Sequence, residues 1–341
     1  MNNSKPVFSV VMPLYNVEKY VENAIDSVLA QSYEHFELIC VNDGCTDNTM
    51  RIVREYEDPR LKIVEQKNMG LAAARNTGIN HASGIYIALL DSDDAWAVNK
   101  LQKHFKHFRE NPGLGVSYCA SRFIDEDGYD MGIGQYPKLS NISAVDIFCR
   151  NPIGNGSAAV IRHSMLTSLS EVRVRDGRYR TSYFDEDFRQ SEDVEFWLRA
   201  ALSGSWEFAG IEDELTYYRV NASGLSANLD KQFAAWKASV NKNRALNPGF
   251  FKKWYSLAEA YQKRYLARRA IQSRNSLAAL KWLSSALLSN WRIVWNEPSR
   301  TLATACCALL SWLPASLYSA MEELAMHVSD FSRQQRIGGK V

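Results

Sequence analysis

The sequence predicts an α/β protein in which a mainly parallel sheet carries helices on both faces and a helical region follows at the C-terminus. In the first 120 residues, short apolar runs alternate with segments of helical periodicity. That alternation is typical of parallel strands joined by crossover helices. After residue 226 the strand patterns stop, and residues 231–290 have helical spacing.

Four buried strands are predicted in the first part of the chain, at "VFSVVMP", "FELICVND", "LKIVEQ" and "GIYIALLD". Helices are predicted between them at residues 17–31, 46–57 and 70–82, the second with Thr46 or Asp47 as its N-cap. Further along, "GSAAVIR" and "WEFAGIEDELTYYR" are predicted strands and "SEDVEFWLRAALSG" a helix, whereas residues 112–160 contain turns rich in Gly and Asp.

The charge of the chain is divided unevenly. From Leu225 onward there are 17 Lys and Arg against 6 Asp and Glu, a net of +11, so within the total of +2 the first 224 residues carry −9. We therefore predict an acidic domain over residues 1–228 and a helical, basic, amphipathic region over residues 229–341, which could meet an anionic surface. The cysteines form no CxxC pair and the N-terminus does not resemble a signal peptide, so a cytoplasmic protein with reduced thiols is expected.

The segment "LLDSDD" gathers Asp91, Asp93 and Asp94 within four residues at the end of a predicted strand. Their negative charges repel one another. A solvated acidic turn is one explanation. The other is a divalent cation, because Mg²⁺ and Mn²⁺ typically take one or two protein carboxylates together with phosphate oxygens.

Polar residues of three other motifs are predicted to lie at the same edge of the sheet, where parallel sheets bind ligands. Tyr15 offers a flat surface and Asn16 a donor and an acceptor, or both simply form a turn. Asp43 could accept a hydrogen bond from a nucleobase imide or begin the next turn. Arg75, one turn into a helix, could reach a diphosphate or pair with Asp43 or Asp91. Since GxGxxG and GxxxxGK[ST] are missing from the sequence, a nucleotide would be held by side chains and a metal.

Taken in order, "PLYN", "VNDGCTD", "NxGxxxARNxG", "LLDSDD" and the distal "SEDVEFWLR" resemble the family 2 glycosyltransferases with the GT-A fold, over roughly residues 6–224. The resemblance implies a nucleotide-sugar donor, usually UDP-linked. With Asn16 of the same turn included, the candidate donor-binding residues are Pro13, Tyr15, Asn16, Asp43, Arg75, Asp91 and Ser92. Asp93 matches the family's ligand to Mn²⁺ or Mg²⁺, and Asp91 the residue that faces the ribose. Of the catalytic candidates Glu192 and Asp193, Asp193 matches the general base.

The chemistry agrees with those roles. A divalent ion can neutralise the charge that develops on a departing diphosphate. A carboxylate on the far side of the sugar can take the proton of the attacking hydroxyl, and a single base there predicts inversion. The sequence departs from the family at "YYRVNASGLS", where Asn221 occupies the position of a histidine. Tyr218 and Arg219 could close over the diphosphate or form a structural pair.

The C-terminal region contains 21 uncharged residues between Arg300 and Glu322. On a helix, the small or polar residues would form one stripe, made of Thr301, Thr304, Ala308, Ser311, Ala315 and Ser319. With the basic charges around it, we expect this segment to lie in the interface of a membrane. Packing on the catalytic domain, packing in a dimer and a true membrane span are the alternatives.

These observations predict an inverting, metal-dependent transferase that moves a hexose or N-acetylhexosamine from a UDP-sugar to a polyprenyl-diphosphate-linked saccharide. The expected setting is the synthesis of a bacterial surface polysaccharide, such as an exopolysaccharide or O-antigen, by an enzyme peripheral on the inner leaflet of the cytoplasmic membrane. No nucleic-acid partner is expected, and a homodimer stays open. The alternatives are a non-catalytic nucleotide-sugar-binding scaffold at the membrane and a nucleotidyltransferase, which would need a glycine-rich phosphate loop.

Overall fold

A computed structural model describes residues 5–175, 177–221 and 228–313. The chain divides into two compact units, one within Met1–Ala227 together with Ala235–Leu246, the other within Asn228–Ala234 and Asn247–Val341. The first unit contains the sheet, and the described residues of the second are helical. The α/β fold and the helical C-terminal region predicted from the sequence are therefore confirmed.

The strands within the described residues all belong to the first unit. They are β1 (Phe8–Leu14), β2 (Phe36–Asp43), β3 (Leu61–Gln66), β4 (Tyr86–Leu89), β5 (Ala95–Trp96), β6 (Leu114–Ile124), β7 (Asp130–Gln135), β8 (Ala159–Arg162), β9 (Glu171–Arg175), β10 (Arg178–Ser182) and β11 (Glu207–Arg219). The main sheet has the order β3-β2-β1-β4-β8-β6-β11-β5, with β7 beside β6, and β9 and β10 form a separate hairpin.

The four predicted strands of the first part, β1 to β4, are parallel neighbours. Every residue of β1, β2 and β4 is buried, which explains why these strands appear in the sequence as continuous apolar runs. Because they are parallel, their carboxyl ends lie at one edge of the sheet. That edge carries Asp43, the last residue of β2, and Asp91, two residues beyond β4.

The second half of the sheet is mixed. β8 is antiparallel to β4 and to β6, β6 is parallel to β11, and β5 is antiparallel to β11. Residues 112–160, for which the sequence predicts loosely patterned turns, contain β6, β7 and the first two residues of β8. β6 is fully buried at its start but includes Ser117, Ser121 and Arg122, and these polar residues interrupt the apolar run by which buried strands are recognised.

The helices in the described part of the chain are α1 (Val21–Leu29), α2 (Thr49–Val53), α3 (Leu71–Asn80), α4 (Lys100–Glu110), α5 (Ala144–Arg150), α6 (His163–Ser168), α7 (Glu192–Ser203), α8 (Leu229–Asn243), α9 (Pro248–Gln272), α10 (Ser276–Ser289), α11 (Ile293–Asn296) and α12 (Pro298–Leu310). The second predicted helix is much shorter than expected, and neither Thr46 nor Asp47 is its N-cap. Asp47 instead accepts hydrogen bonds from the backbone amides of Glu18 (3.1 Å) and Thr49 (3.0 Å), so its carboxylate joins two loops.

The C-terminal half of α8 packs within the first unit. Lys242 lies 2.5 Å from the carboxylate of Asp185 and 3.1 Å from that of Glu195 in α7. Trp236 stacks on Phe148 of α5, with ring centroids 5.8 Å apart. An ionic contact thus holds α8 against α7, the helix that begins with the predicted catalytic acids, and an aromatic contact holds it against α5.

In the second unit, α9, α10 and α12 share a core of small residues that includes Ala270, Ala279 and Ala308. The predicted stripe on α12 faces this core, since Thr301 and Thr304 are also buried. Residues 314–321 of the predicted interfacial segment, including two members of the stripe, lie outside the described residues. Within the described residues, every helix is too short or too polar to cross a membrane.

Candidate active site

The loop after β1 lies at the carboxyl edge of the sheet. Tyr15 directly follows the strand and is 51% exposed, so its ring is available for stacking on a ligand. Asn16 has a φ of +51°, and its side-chain oxygen accepts a hydrogen bond from the amide of Thr46 at 2.8 Å. Asn16 therefore joins the loops that follow β1 and β2. Pro13 is buried within β1, opposite Val41.

Asp43 organises the loop between β3 and α3. It is 3% exposed and accepts hydrogen bonds from the amides of Met69 (2.8 Å) and Gly70 (2.9 Å) and from the side chain of Gln66 (2.7 Å). These contacts fix the carboxylate at the edge of the sheet. One of its oxygens has a single hydrogen-bond partner among the described residues, Gly70, and a carboxylate oxygen can accept more than one bond.

The segment after β4 is held in place by Ser157. Ser157 accepts a hydrogen bond from the amide of Asp91 at 3.0 Å and donates one to the carboxylate of Asp94 at 2.6 Å. Asp94 is 1% exposed and also accepts from the amide of Arg219 at 2.8 Å. Burial, together with the charges of Asp93 and Asp91, raises the pKa of Asp94 well above its usual range. Ser92 is 6% exposed, so Asp91 and Asp93 are the more accessible members of the segment.

Asp93 contacts the end of the sheet's longest strand. Its carboxylate accepts a hydrogen bond from the side-chain amide of Asn221 at 2.9 Å, and its carbonyl accepts from Arg219 at 2.8 Å. Burial and the neighbouring charge of Asp91 raise the pKa of Asp93 to about 6. A carboxylate with a raised pKa beside another acid is a site that a cation would stabilise.

The residues around Asp93 are suitable for a divalent cation. The side-chain oxygen of Asn221 is buried and has no hydrogen-bond partner among the described residues, which leaves an oxygen ligand beside the carboxylate. The described residues contain no cluster of three or more His, Cys, Asp and Glu that could hold a metal. Mg²⁺ and similar ions commonly bind through one or two carboxylates, substrate phosphates and water, so this donor set fits such an ion.

Arg75 connects the predicted donor site to the predicted catalytic acids. It is 2% exposed, donates a hydrogen bond to Asp91 at 2.6 Å and forms an ion pair with Glu192. Its guanidinium carbon lies 5.8 Å from the centre of the Phe184 ring. Gly156 makes room for it, because a Cβ at this position would collide with the guanidinium. An ion pair with Asp91 was one predicted role of Arg75, and this pair is present. The ion pair of Arg75 with Glu192 was not predicted.

Glu192 and Asp193 begin α7 and have different surroundings. Glu192 is 3% exposed, and burial raises its pKa to about 7 against the opposing effect of Arg75. Asp193 is partly exposed and accepts a hydrogen bond from the amide of Val194 at 2.8 Å. Burial also raises the pKa of Asp193, again opposed by Arg75. Glu192 is therefore occupied by an ion pair, whereas Asp193 keeps oxygen atoms for another partner.

Comparison of the sequence with known proteins identifies the family. The family model described as glycosyl transferase family 2 matches residues 9–169. A protein of Bacillus subtilis (strain 168) assigned by name to teichuronic acid biosynthesis, the glycosyltransferase TuaG, is 30% identical over 244 residues, which are 70% of this chain and 86% of that protein. The chain belongs to glycosyltransferase family 2.

Solved structures place this family 2 glycosyltransferase in the GT-A fold. The mannosyltransferase PcManGT of Pyrobaculum calidifontis, solved with GDP-Man and Mn²⁺, is 20% identical with a TM-score of 0.56, over 90% of this chain and 87% of that one. Staphylococcus aureus TarS, residues 1–349, solved with UDP-GlcNAc, is 16% identical with a TM-score of 0.52, over 84% of this chain and 91% of that one.

Two side chains of the glycosyltransferase hold the site together although their roles were not predicted. Asn76, next to Arg75, is 2% exposed and makes five hydrogen bonds to residues 182–186, among them bonds from the amides of Tyr183 (3.0 Å) and Phe184 (2.9 Å). Ser157 connects Asp91 and Asp94, as described above. Asn76 lies within a quoted motif, whereas Ser157 lies where the predicted turn meets the start of the predicted strand "GSAAVIR", a pattern that does not indicate a role in the site.

Arg219 of the glycosyltransferase makes structural contacts with backbone carbonyls and with an aromatic ring. Its guanidinium donates to the carbonyls of Asp93 (2.8 Å), Asp125 (2.9 Å) and Glu126 (3.0 Å), and it lies over the ring of Tyr20 at 4.8 Å. Arg219 is 5% exposed. Its charge therefore serves to hold the chain around Asp93.

Proposed function

We propose that this glycosyltransferase moves a hexose or N-acetylhexosamine from a UDP-sugar to a saccharide acceptor with inversion at the anomeric carbon. The observation that carries the proposal is the position of Arg75, which binds Asp91 of the donor segment and Glu192 beside the candidate base. Residues more than 100 positions apart in the sequence are thereby joined in one site. A donor pocket and a base within one site are what direct displacement requires.

The donor is proposed to lie along the edge formed by Tyr15, Asp43 and Asp91. Tyr15 would stack on the base, and Asp43 would accept from its imide while it holds the Met69 loop. UDP is favoured because TarS, of the same fold, is solved with UDP-GlcNAc. PcManGT is solved with GDP-Man, so GDP-sugars are the appropriate competing donors in a test.

In the proposed reaction, the acceptor oxygen forms a bond to the anomeric carbon while the bond from that carbon to the diphosphate breaks. The electron pair of the broken bond leaves with the diphosphate. Asp193 takes the proton of the acceptor hydroxyl, a contribution of roughly 100- to 10,000-fold for such a base. Arg75 keeps Glu192 paired, which leaves Asp193 as the carboxylate available to the acceptor.

A divalent cation, Mn²⁺ or Mg²⁺, is proposed at Asp93. The carboxylate of Asp93 and the side-chain oxygen of Asn221 would hold it, because the Asn221 oxygen has no partner among the described residues. Such an ion would neutralise the charge that develops on the departing diphosphate. Ser157 and Arg219 keep this segment in place through Asp94.

A donor screen tests the proposal. Nucleotide release would be measured for each UDP- and GDP-sugar with a saccharide acceptor, and we expect activity with a UDP-sugar. Asp93→Ala should abolish transfer and Mn²⁺-dependent UDP binding in calorimetry. Asp213→Ala is the matched control, since Asp213 is an exposed aspartate whose only described contact is Lys103. Unchanged metal-dependent UDP affinity in Asp93→Ala would contradict the metal assignment.

A second variant separates binding from chemistry. Asp193→Asn keeps the shape of the side chain but removes the base, so UDP affinity should persist while transfer falls by about 100-fold or more. Glu192→Gln is the adjacent comparison. If Glu192→Gln loses more transfer than Asp193→Asn while both remain folded, the base is Glu192.

We further propose that the C-terminal region, residues 229–341, holds the enzyme against the inner leaflet of the cytoplasmic membrane, where the acceptor would be a polyprenyl-diphosphate-linked saccharide of a surface polysaccharide. Large apolar side chains support this, because Leu288 is 87%, Trp291 63% and Trp295 72% exposed. Trp is enriched at membrane interfaces. The basic charge of the same region would attract anionic lipid.

Sedimentation with anionic phosphatidylglycerol vesicles tests this membrane proposal. Replacing Leu288, Trp291 and Trp295 by Ser in the full chain should release most of the protein, whereas Tyr129→Ser, at an exposed tyrosine of the first unit, should not. Full-length variants are preferable to truncation after residue 228, because residues 235–246 belong to the first unit. If the unmodified protein does not sediment with vesicles, the membrane proposal is wrong.

A further inference from the structure

Two arginines converge on the loop that Asp43 fixes. Arg180 of β10 lies with Nη1 3.7 Å from the sulfur of Met69, and Arg189 donates from Nη1 to the carbonyl of Met69 at 3.3 Å. Within residues 5–175, 177–221 and 228–313, neither guanidinium has a carboxylate partner. Two positive charges at one loop repel each other, and an anion between them would remove that repulsion.

The neighbouring acids are occupied by other arginines. On the same face of the β9–β10 hairpin, Arg173 binds Asp185 at 2.6 Å and Arg175 binds Asp187 at 2.5 Å. The arginines of this face are therefore of two kinds. Those of β9 stabilise the hairpin through ion pairs, whereas Arg180 is turned toward Met69 instead.

The position of Arg180 is fixed by the packing of β10 on α3. Asn80 donates a hydrogen bond to the carbonyl of Thr181 at 2.9 Å, and Asn76 donates to the hydroxyl of Ser182 at 2.8 Å. These contacts hold the two residues that follow Arg180. The guanidinium is thus presented from a strand whose end is anchored to the helix that carries Arg75.

The loop side of the pair is equally well defined. Asp43 accepts hydrogen bonds from the amides of Met69 and Gly70. Gly70 has a φ of +92°, and a Cβ on it would lie 2.8 Å from Nη1 of Arg189. Glycine therefore permits both the backbone turn and the approach of the arginine.

We propose that Arg180 and Arg189 form a binding site for a substrate phosphate group, separate from the cation site at Asp93. The proposal rests on the proposed function, since it takes the carboxyl edge of the sheet as the substrate site. A guanidinium matches phosphate geometry with paired N–H donors, and arginine does not lose its proton at the pH of the cell. The phosphate belongs either to the donor's diphosphate or to a phosphate-bearing acceptor.

Inorganic pyrophosphate in EDTA is the direct probe, because no divalent ion is then available to the acidic segment. Calorimetric titration should show binding to the full-length protein, weakened about tenfold in Arg180→Gln and in Arg189→Gln, which corresponds to about 1.4 kcal/mol each. Lys67→Gln is the matched control, because it removes the same charge from an exposed residue two positions before Met69. Its affinity should change less than about twofold. Circular dichroism melting would establish that each variant is folded.

Titration with UDP and Mn²⁺ identifies the source of the phosphate. A parallel loss of UDP affinity in both arginine variants assigns the site to the donor, and unchanged UDP affinity assigns it to the acceptor. The proposal would be overturned if pyrophosphate does not bind, or if a variant that combines Arg180→Gln and Arg189→Gln binds it as tightly as Lys67→Gln does. A loss of UDP affinity without any change for pyrophosphate would also overturn it. Because these titrations require no transfer, their outcome is independent of the donor screen.

Discussion

Replacing Arg75 by Met should destabilise the first unit strongly and in a pH-dependent way. Methionine fills a similar volume but removes the guanidinium shared by Asp91 and Glu192. The side chain of Asp91 is 26% exposed and would be solvated after the change, whereas the side chain of Glu192 is 4% exposed and would be left as a buried carboxylate without its cation. Removing one partner of a buried pair costs about 3–5 kcal/mol.

The pKa of Glu192 determines where that cost appears. It is already raised to about 7, above the value of about 4.3 for an unperturbed glutamate. A group with a raised pKa contributes stability that is fully present below its unfolded pKa and is lost as the pH rises through the folded pKa. Without Arg75 the folded pKa rises further. Near pH 6 Glu192 is then largely protonated in the wild-type protein and in Arg75→Met. The free energy of unfolding should therefore fall by only about 1–2 kcal/mol at this pH, from the missing hydrogen bonds.

Urea unfolding followed by circular dichroism at pH 6 and pH 8 measures both losses. Near pH 8 the wild-type Glu192, with a pKa of about 7, is mostly ionised, whereas in the variant it stays largely protonated. Linkage then adds about 1 kcal/mol, so we expect a total loss of about 2–3 kcal/mol, less than for a carboxylate that remains ionised. The double variant Arg75→Met, Glu192→Gln should be more stable than Arg75→Met alone, because glutamine is neutral without taking up a proton. Arg51→Met is the control, since Arg51 pairs with Glu55 at the surface and should cost less than about 1 kcal/mol. A loss of less than 1 kcal/mol in Arg75→Met at both pH values, or a double variant less stable than the single one, would refute the reasoning.

Three further predictions concern the same unit. Because burial raises the pKa of Asp193, kcat/KM should rise with pH through a pKa above the unperturbed value of about 3.9, and this acid limb should vanish in Asp193→Asn. Asn76→Ala leaves two buried amides without an acceptor and should cost about 2–4 kcal/mol, seen in urea unfolding and in faster hydrogen exchange of residues 183 and 184. Burial opposes ionisation of Asp185, but the hydrogen bonds from Arg173 and Lys242 outweigh burial and lower the pKa of Asp185. The stability that the ionised Asp185 contributes is present above about pH 4 and is lost as the pH falls. Lys242→Met should therefore unfold at a higher pH than the wild-type protein in an acid titration.

Most of the parallel half of the fold could be predicted from the sequence because β1, β2 and β4 are buried on both faces. The predicted strands "FELICVND" and "LKIVEQ" coincide with β2 and β3, and "WEFAGIEDELTYYR" contains all of β11. The β9–β10 hairpin was not predicted. Its residues alternate between apolar and charged, and the apolar side is exposed, with Val172 71% and Tyr179 82% exposed. The reason for this orientation is tertiary, because Arg173 and Arg175 are turned toward acids that follow in the chain.

The candidate site was predictable where it depends on strand ends and was not where it depends on pairing across the chain. Asp43 ends one buried strand and Asp91 follows another, and the periodicity of the sequence is sufficient to place both at one edge. The ion pair between Arg75 and Glu192 joins residues 117 positions apart. The two motifs indicate that both residues lie near a ligand, but they do not show that α3 and α7 are close enough for the residues to form an ion pair.

The structure also gives a physical reason why two adjacent acids can have different roles. Successive residues of an α-helix point about 100° apart, so Glu192 and Asp193 at the start of α7 cannot both face the same partner. Glu192 faces the buried guanidinium of Arg75, and the charge of that guanidinium also acts on Asp193. Arg75 thereby opposes the rise in the pKa of Asp193 that burial would cause, and it does so without occupying the Asp193 carboxylate. A base that must be ionised yet free to accept a proton benefits from a cation that is paired with its neighbour.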